Sequence, residues 1–406
     1  MGLIVQKFGG SSVADAPRIH SAANKAIAAK NAGNHVVVVV SAMGAATDDL
    51  IALARQVCEN PPKREMDQLL ATGEQVTIAL LAMAMHAQGQ QAISFTGGQI
   101  GLITDAVHSK ARIKEIDKQR VLRELDAGRI VIVAGFQGVT SEGAITTLGR
   151  GGSNATLVAL GAVLHADVCE NYTDVDGIFT ADPRIVPSAR KMHRISYEEM
   201  MELSSAGAGV LQTRAVEFAK KYNVPLHVRN SRHDQPGTWI VAENVAMEHL
   251  VVSGCALKKD LTRVSLKGIA DRPGVVARVF TATAEANIMV DDIIQNVMDD
   301  RTAAVSFTVE HGDVGDLTPV VQGLLKEIGG SAKYETNLAR VSVIGVGMKQ
   351  STGVAGRMFG ALARENINIE NISTSEIRIS VIVARQDAEK ALRAVHAAFE
   401  LESTTH

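Results

Sequence analysis

Short, unbroken apolar runs alternate with longer segments of helical periodicity over residues 1–245. The clearest run covers residues 35–44 and contains five consecutive valines. Such a β-branched run is typical of a strand buried on both faces of a parallel sheet. Similar runs predict strands at residues 3–5, 130–134, 168–172 and 225–229, with helices such as 17–32 and 75–87 between them. Strands that alternate with helices predict βαβ units in a layered α/β domain.

The pattern changes after residue 244, and two later segments resemble each other. One begins RVSLKGIADRPGV at Arg263 and the other begins RVSVIGVGMKQSTGV at Arg340. When Gly274 is aligned with Gly353, identical residues recur at several of the following positions. Each copy predicts a ferredoxin-like βαββαβ unit. We therefore expect three domains, at residues 1–245, 262–332 and 338–404.

Charge and composition narrow the possible partners. The 41 Lys and Arg residues nearly balance the 44 Asp and Glu residues, which argues against nucleic acid as a partner. The N-terminal sequence does not fit a signal peptide, and no apolar stretch reaches the ~18 residues of a membrane-spanning helix. The 12 histidines form no zinc motif, and the three cysteines are widely separated. We expect a cytoplasmic protein with reduced cysteines, no membrane partner and no metal site of its own.

Two glycine turns are the main candidates for chemistry. In VQKFGGSS, Lys7 ends a predicted strand, and Gly9 and Gly10 would let backbone N–H groups approach an anion at a helix N-terminus. In TTLGRGGSN, Arg150 and Ser153 stand at the mouth of a second helix, and an arginine suits a carboxylate. Each turn could also be an ordinary loop with a solvated cation. Their occurrence together favours a site for several anionic groups.

Two acidic features are less specific. Glu74 lies just inside a predicted helix, where a carboxylate complements the helix dipole. The loop at residues 172–184 holds three aspartates and an arginine. Such a loop can face a ribose or Mg²⁺, although Asp-Gly and Asp-Pro are also common turn sequences.

Taken in order, these motifs resemble the aspartokinases of the amino acid kinase family over essentially the whole chain. The motifs are KFGGSS, VVSAMG–TDDL, TGEQV, AGFQG, TTLGRGGS, YTDVDG–TADPR and ISTSEIRIS. The resemblance implies a three-layer αβα amino acid kinase domain with a mainly parallel sheet, followed by two ferredoxin-like βαββαβ ACT domains. It also implies transfer of the γ-phosphoryl group of ATP, with Mg²⁺, to the β-carboxylate of aspartate.

The resemblance assigns roles to residues by position. Lys7, Ser153 and Asn154 occupy the catalytic positions, and Thr47, Glu74 and Arg150 those that hold aspartate. The nucleotide positions, besides Lys7, are Gly9, Gly10, Ser11, Thr173, Asp174, Phe179, Arg184 and Gly209. The positions that bind lysine or threonine in feedback-inhibited members are Asp271, Gly274, Gln295, Asn296, Asn368 and Ile369. Because ACT domains commonly pair between subunits, a homo-oligomer, most simply a dimer, is expected.

Two positions depart from the family pattern. Asn154 stands where a catalytic aspartate is expected, and Gly209 replaces a lysine that reaches the nucleotide phosphates. Both changes remove charge from the site, and one electrostatic donor can be worth about 10²–10³ in rate. Arg214, about one helical turn later, could compensate. Three hypotheses follow: an aspartate kinase, which is favoured; a kinase for the hydroxyl of threonine or homoserine; or a weakly active amino-acid sensor.

Overall fold

The computed structural model describes residues 2–149, 151–243, 251–298 and 302–402, which fold into two compact units. The first unit comprises residues 1–179, 191–205 and 209–247, and the second comprises 180–190, 206–208 and 248–406. The expected domain limits at 245 and 404 lie outside the described residues.

The first unit contains twelve strands and eight helices among its described residues. The strands are β1 (Leu3–Phe8), β2 (His35–Val40), β3 (Ala92–Phe95), β4 (Leu102–Thr104), β5 (Ile113–Ile116), β6 (Ile130–Ala134), β7 (Gln137–Val139), β8 (Ile145–Thr147), β9 (Val168–Thr173), β10 (Arg194–Ser196), β11 (Leu226–Asn230) and β12 (Thr238–Val241). The helices are α1 (Ala16–Asn31), α2 (Ala46–Val57), α3 (Lys63–Leu70), α4 (Thr72–His86), α5 (Lys118–Asp126), α6 (Gly152–Leu164), α7 (Tyr197–Ser205) and α8 (Thr213–Tyr222). Every strand that the apolar runs predict is present.

Eight of these strands form a mainly parallel sheet in the order β10-β12-β11-β9-β1-β2-β6-β3. The six consecutive strands from β11 to the edge strand β3 are parallel, and β12 runs antiparallel to β11. Helices α1 and α4 cover one face, where they pack on alternate valines of β2. Helix α6 covers the other face of β1 and β9. This is the expected three-layer αβα arrangement, with the fully buried valines of β2 at its centre.

A smaller sheet and one apolar helical stretch complete the first unit. The smaller sheet has the order β5-β4-β7-β8 and was not anticipated from the sequence, because its strands have only three or four residues. The stretch Lys63–His86 joins α3 and α4 and is long and apolar enough, by composition, to cross a membrane. Half of its most apolar window is buried inside the structure, as expected of a core helix.

The second unit is built on a six-stranded antiparallel sheet in the order β14-β15-β13-β16-β18-β17. Its strands are β13 (Gly254–Ala270), β14 (Asp291–Val297), β15 (Thr302–Glu310), β16 (Ser331–Ile344), β17 (Asn371–Thr374) and β18 (Arg378–Ala384). Its helices are α9 (Val275–Glu285), α10 (Val314–Ile328), α11 (Val354–Arg364) and α12 (Ala388–Ala398). Two separate apolar cores, one for each sequence repeat, show that each repeat packs around its own core, as the predicted βαββαβ units would.

The long strands β13 and β16 each serve both modules. The second half of β13 pairs with β15, whereas its first half pairs with the C-terminal half of β16. The second repeat therefore takes its last sheet strand from residues 254–258, which precede the first repeat. The periodicity of the sequence did not predict that residues 254–258 belong to the second module, because strand pairing between distant segments leaves no local pattern.

Candidate active site

The carboxyl ends of β1, β2, β6 and β9 converge at one edge of the large sheet. These strands are neighbours and run in parallel, so the loops that follow them lie side by side. In open α/β sheets, ligands bind in the crevice outside the carboxyl ends of the strands. Lys7, Glu74, Ser153 and Asn154, assigned from the sequence, lie at the ends of these strands or at the helix N-termini beside them.

The first glycine turn is packed tightly between its neighbours. The Gly9 amide donates to the Tyr172 carbonyl, 3.2 Å away, which joins the end of β1 to the end of β9. A Cβ on Gly10 would lie 2.9 Å from the Ala42 carbonyl oxygen and 3.2 Å from that of Gly44. Any side chain at Gly10 would therefore push the loop after β1 away from the loop after β2. Ser11, in the same turn, is exposed.

Lys7 is the penultimate residue of β1 and is buried, with 8% of its surface exposed. Its Nζ lies 3.5 Å from where a Cβ of Gly9 would be, so the ammonium group lies against the glycine turn. Burial lowers the pKa of Lys7 to about 8, and the charge of Asp174 opposes this shift. A buried cation beside a half-buried glycine turn is suited to an anionic ligand.

Glu74 lies in the first turn of α4 and is buried, with 3% of its surface exposed. Its Oε1 accepts a hydrogen bond from the Ala42 amide at 3.1 Å, while Oε2 has no protein partner. Burial raises the pKa of Glu74 to about 7, although hydrogen bonds from its own amide, from Ala42 and from Gln137 oppose the shift. A buried carboxylate with one free oxygen can accept a hydrogen bond from an ammonium group.

The N-terminus of α6 meets the ends of β2 and β6. Ser41 Oγ donates to Ser153 Oγ at 3.0 Å. The Gly135 amide donates to the Val40 carbonyl, and a Cβ on Gly135 would lie 2.7 Å from Ser153 Oγ. Asn154 is buried in the same turn, and its Oδ1 has no partner.

The two other residues expected to bind aspartate are Arg150 and Thr47. Arg150 lies outside the described residues, between Gly149 and Gly151, which both have positive φ angles. Thr47 is half-buried in the first turn of α2. No hydrogen bond among the described residues joins Thr47 to Glu74.

The expected nucleotide residues are divided between the two units. Thr173 ends β9, and its hydroxyl donates to the Asp174 carboxylate at 3.1 Å. Phe179, also in the first unit, forms an isolated bridge with Lys191. Gly209 is exposed, and a Cβ there would meet nothing within 4 Å. Arg184 belongs to the second unit, where its Nε donates to Oδ1 and its Nη2 to Oδ2 of Asp182.

Arg214, the possible substitute for the missing lysine, is held elsewhere. It lies in the first turn of α8 and donates to the Ala111 carbonyl at 3.2 Å. Burial lowers its pKa, and the nearby Arg112 adds to that effect. This contact gives Arg214 a structural role in the first unit.

The expected effector residues all lie in the second unit. Asp271 and Gly274 form the exposed turn before α9, Gln295 and Asn296 lie on β14, and Asn368 and Ile369 precede β17. β14 and β17 are the two edge strands of the sheet.

Sequence reasoning missed three polar residues that the fold places at or beside the site. Ser41 binds Ser153, and Gln137 supports Glu74 while donating to the Ala71 carbonyl. Asn171 is aligned with Lys7 on the neighbouring strand. The signal for Asn171 was a polar residue within a buried apolar strand, which could have been noted before the structure was known.

The site fits a nucleotide with Mg²⁺ better than a metal held by protein alone. Among the described residues, no group of three or more His, Cys, Asp or Glu side chains could hold a metal ion. Asp174 is an exposed carboxylate at the end of β9. Mg²⁺ commonly takes one or two carboxylates together with substrate phosphates, which is the donor set that this edge offers.

Comparisons with known proteins agree with this arrangement. The model of the amino acid kinase family matches residues 2–230, and that of an ACT domain matches 341–399. An aspartate kinase of Stutzerimonas stutzeri is 51% identical over 405 residues, covering 99% of this chain and 98% of the relative. E. coli aspartokinase III with aspartate and ADP has a TM-score of 0.84 at 27% identity, covering 98% of this chain and 99% of that one. The same protein with lysine and aspartate has a TM-score of 0.74 at 26% identity, with the same coverage.

Proposed function

Because the chain belongs to the amino acid kinase family, and within it to the aspartate kinases, we propose that the cluster at the sheet edge is its catalytic centre. The enzyme transfers the γ-phosphoryl group of ATP to the β-carboxylate of L-aspartate, the first step toward lysine, threonine and methionine. One observation carries the assignment of the centre. Lys7 and Glu74, buried ionisable groups of opposite charge, both border the loop at residues 42–44, Lys7 through the glycine turn that it touches.

Aspartate binding is assigned to the Glu74 side of the cluster. The free Oε2 of Glu74 accepts a hydrogen bond from the ammonium group of the substrate. Arg150 and Thr47 hold the α-carboxylate of the substrate. The substrate charge favours the ionised form of Glu74, which burial alone disfavours. Binding and ionisation of Glu74 are therefore coupled.

Phosphoryl transfer is assigned to the Lys7 side. A β-carboxylate oxygen forms a bond to the γ-phosphorus as the bond to the ADP oxygen breaks, so no proton has to be removed. Lys7 neutralises charge on the phosphoryl oxygens, and the turn of Gly9, Gly10 and Ser11 lines the phosphates. The amides of Gly10 and Ser11 face them, because the Gly9 amide is already bonded to the Tyr172 carbonyl. Ser153 and Asn154 border the reacting groups from the N-terminus of α6.

The remaining nucleotide contacts are assigned to Thr173, Asp174, Phe179, Arg184 and Gly209. Asp174, with the ATP phosphates, would hold Mg²⁺, which screens the phosphate charge when bound. We place the enzyme in the cytoplasm. We also assign it a homo-oligomeric state and an amino-acid effector, lysine or threonine, at the second unit, through Asp271, Gly274, Gln295, Asn296, Asn368 and Ile369.

A substrate panel tests the reaction. ADP release is measured with MgATP and aspartate, threonine, homoserine or no acceptor, and hydroxylamine traps any acyl phosphate. We expect aspartate alone to release ADP above background and to give a hydroxamate. ADP release with a hydroxy amino acid and no hydroxamate from aspartate would instead identify a hydroxyl kinase. Amino-acid binding with no ADP release under any condition would identify a sensor.

A further inference from the structure

Asn171 is a buried amide that the established reaction does not explain. It lies on β9, aligned with Lys7 on β1 and with Val228 on β11. Only 1% of its surface is exposed, and neither Oδ1 nor Nδ2 has a hydrogen-bond partner. Burying an amide without hydrogen-bond partners costs desolvation free energy, so two unbonded polar atoms in a central strand call for an explanation.

The sheet register directs Asn171 to the same face as Lys7. Partners in parallel strands project from the same side of a sheet, and alternate residues of one strand share a face. Cys169, two residues earlier on β9, contacts the Leu157 carbonyl of α6 through its Sγ. Because α6 runs opposite to the strands, Asn171 faces the first turn of this helix. Asn154, whose Oδ1 is also without a partner, lies in that turn.

Few charges reach the Lys7 ammonium group. Asp174 is the acidic residue that favours its charged form. The first turn of α6 contains no acidic residue, and the aligned neighbours on β2 and β11 are Val39 and Val228. The charged side chains at positions 170 and 229 belong to the opposite face of the sheet. Besides the Asp174 carboxylate, the unpartnered amide oxygens of Asn154 and Asn171 are therefore polar groups on the Lys7 face of the sheet among the described residues.

We propose that Asn171 is a positioning residue, whose amide oxygen, together with that of Asn154, accepts a hydrogen bond from the Lys7 ammonium and holds it toward the phosphates. The inference deepens the proposed function and rests on the role of Lys7 in it. Two neutral dipoles take the place of the carboxylate that the family pattern expects at position 154. Hydrogen bonds of this kind tighten when the substrates bind, and Asn171 is in register to form one.

The test replaces Asn171 by leucine, which has a similar volume and no polar atoms. In the full-length enzyme with MgATP and aspartate, Asn171→Leu should lower kcat about 10-fold, with little change in the KM of aspartate. The alkaline limb of the kcat profile should move to lower pH, because an acceptor of the charged form is lost. The substrate-free protein should melt no lower than wild type, because an unpartnered buried amide has been removed.

A second variant and a matched control keep the test decisive if the leucine variant folds poorly. Asn171→Asp adds a negative charge at the same position and should move the alkaline limb to higher pH. Cys169→Ala, on the same face of the same strand, should lower the melting temperature and leave the alkaline limb of the kcat profile at the wild-type pH. An unchanged kcat and limb in both Asn171 variants would overturn the inference.

Lys7→Met separates the inference from the proposed function. If Lys7→Met lost activity while both Asn171 variants kept the wild-type kcat and pH profile, only the role of Asn171 would be refuted. Retention of wild-type kcat in Lys7→Met would refute the assigned role of Lys7, and with it the inference.

Discussion

Two buried ionisable residues, Lys7 and Glu74, are shifted in opposite directions by the same cause. Burial lowers the pKa of Lys7 to about 8 and raises that of Glu74 to about 7. Each shift favours the neutral form, so each group destabilises the free protein when charged. A ligand that brings phosphate to Lys7 and an ammonium group to Glu74 removes both costs. The two buried charges therefore lower the stability of the free protein and increase its affinity for the ligand.

Aspartate binding should release protons near neutral pH. At pH 7 about half of the Glu74 side chains are protonated, and pairing with the substrate ammonium favours the ionised form, so ~0.5 proton should leave for each aspartate bound. Below pH 7 the protonated fraction grows, and kcat/KM for aspartate should fall. Calorimetry in two buffers of different ionisation enthalpy measures the release.

Glu74→Gln is the matched control for this prediction, because it keeps the shape and cannot ionise. It should abolish the proton release and weaken aspartate binding by ~10²-fold, through loss of a buried charge pair. Equal binding heats in the two buffers for the wild-type enzyme would show that Glu74 does not ionise on binding.

Restoring the two family residues should raise activity. Asn154→Asp with Gly209→Lys returns a carboxylate to the N-terminus of α6 and a cation near the phosphates. The lysine can be accommodated, because a Cβ at Gly209 meets nothing within 4 Å. We expect the double variant to raise kcat by ~10-fold or more, as measured by hydroxamate formation. No gain would mean that the site has been rebuilt around its neutral residues.

At the scale of single residues, motifs located Lys7 and Glu74 but did not identify Asn171 as a site residue. Lys7 and Glu74 are found in short sequence patterns that adjoin glycine turns. Asn171 has no such pattern, because its importance comes from its alignment with a residue 164 positions earlier. Register between distant strands is set by tertiary packing, which a single sequence does not display.

The position of helix α6 depends on a glycine in a different element. Gly135 follows β6, and a Cβ there would lie 2.7 Å from Ser153 Oγ and 2.9 Å from the Val40 carbonyl oxygen. Gly135→Ala should therefore push the N-terminus of α6 away from β2 and break the Ser41–Ser153 hydrogen bond. We expect kcat to fall ~10²-fold and the melting temperature to drop, measured by steady-state rates and by thermal unfolding.

Gly323→Ala provides the same substitution where space is available. Gly323 lies within α10, and its Cβ would meet nothing within 4 Å. The change should stabilise the protein by about 0.4–1 kcal/mol and leave kcat unaltered. If Gly135→Ala also kept the wild-type kcat and melting temperature, the close approach of β6 to α6 would not be needed for activity.

Among the elements, local patterns predicted β1, β2, β6, β9 and β11, because long β-branched runs have few other interpretations. The four-stranded sheet was not predicted, because its strands are too short to show a clear alternation of apolar and polar residues. The repeat predicted both ACT modules but not the strand at residues 254–258 that completes the second one. That strand precedes both repeats, and only pairing identifies its partner.

The six-stranded sheet of the second unit ends in edges that display apolar side chains. On β14, Ile293 is 51% exposed and Val297 is 61% exposed, and on β17 Ile372 is 46% exposed. Edge strands with exposed apolar residues readily pair with another chain. The expected effector residues Gln295 and Asn296 lie on the same edge strand, so assembly and effector binding should depend on one surface.

Ile293→Lys should therefore weaken the proposed homo-oligomer. A charge on β14 opposes burial of this edge against a second copy, and the mass measured by light scattering after gel filtration should fall toward that of one chain. Val57→Lys is the control, because Val57 is 83% exposed at the end of α2 and lies far from this sheet in the sequence. If both variants kept the wild-type mass, assembly would use another surface. If Ile293→Lys alone dissociated, it should also lose the proposed inhibition by lysine or threonine while keeping its kcat, because Lys7, Ser153 and Asn154 belong to the other unit.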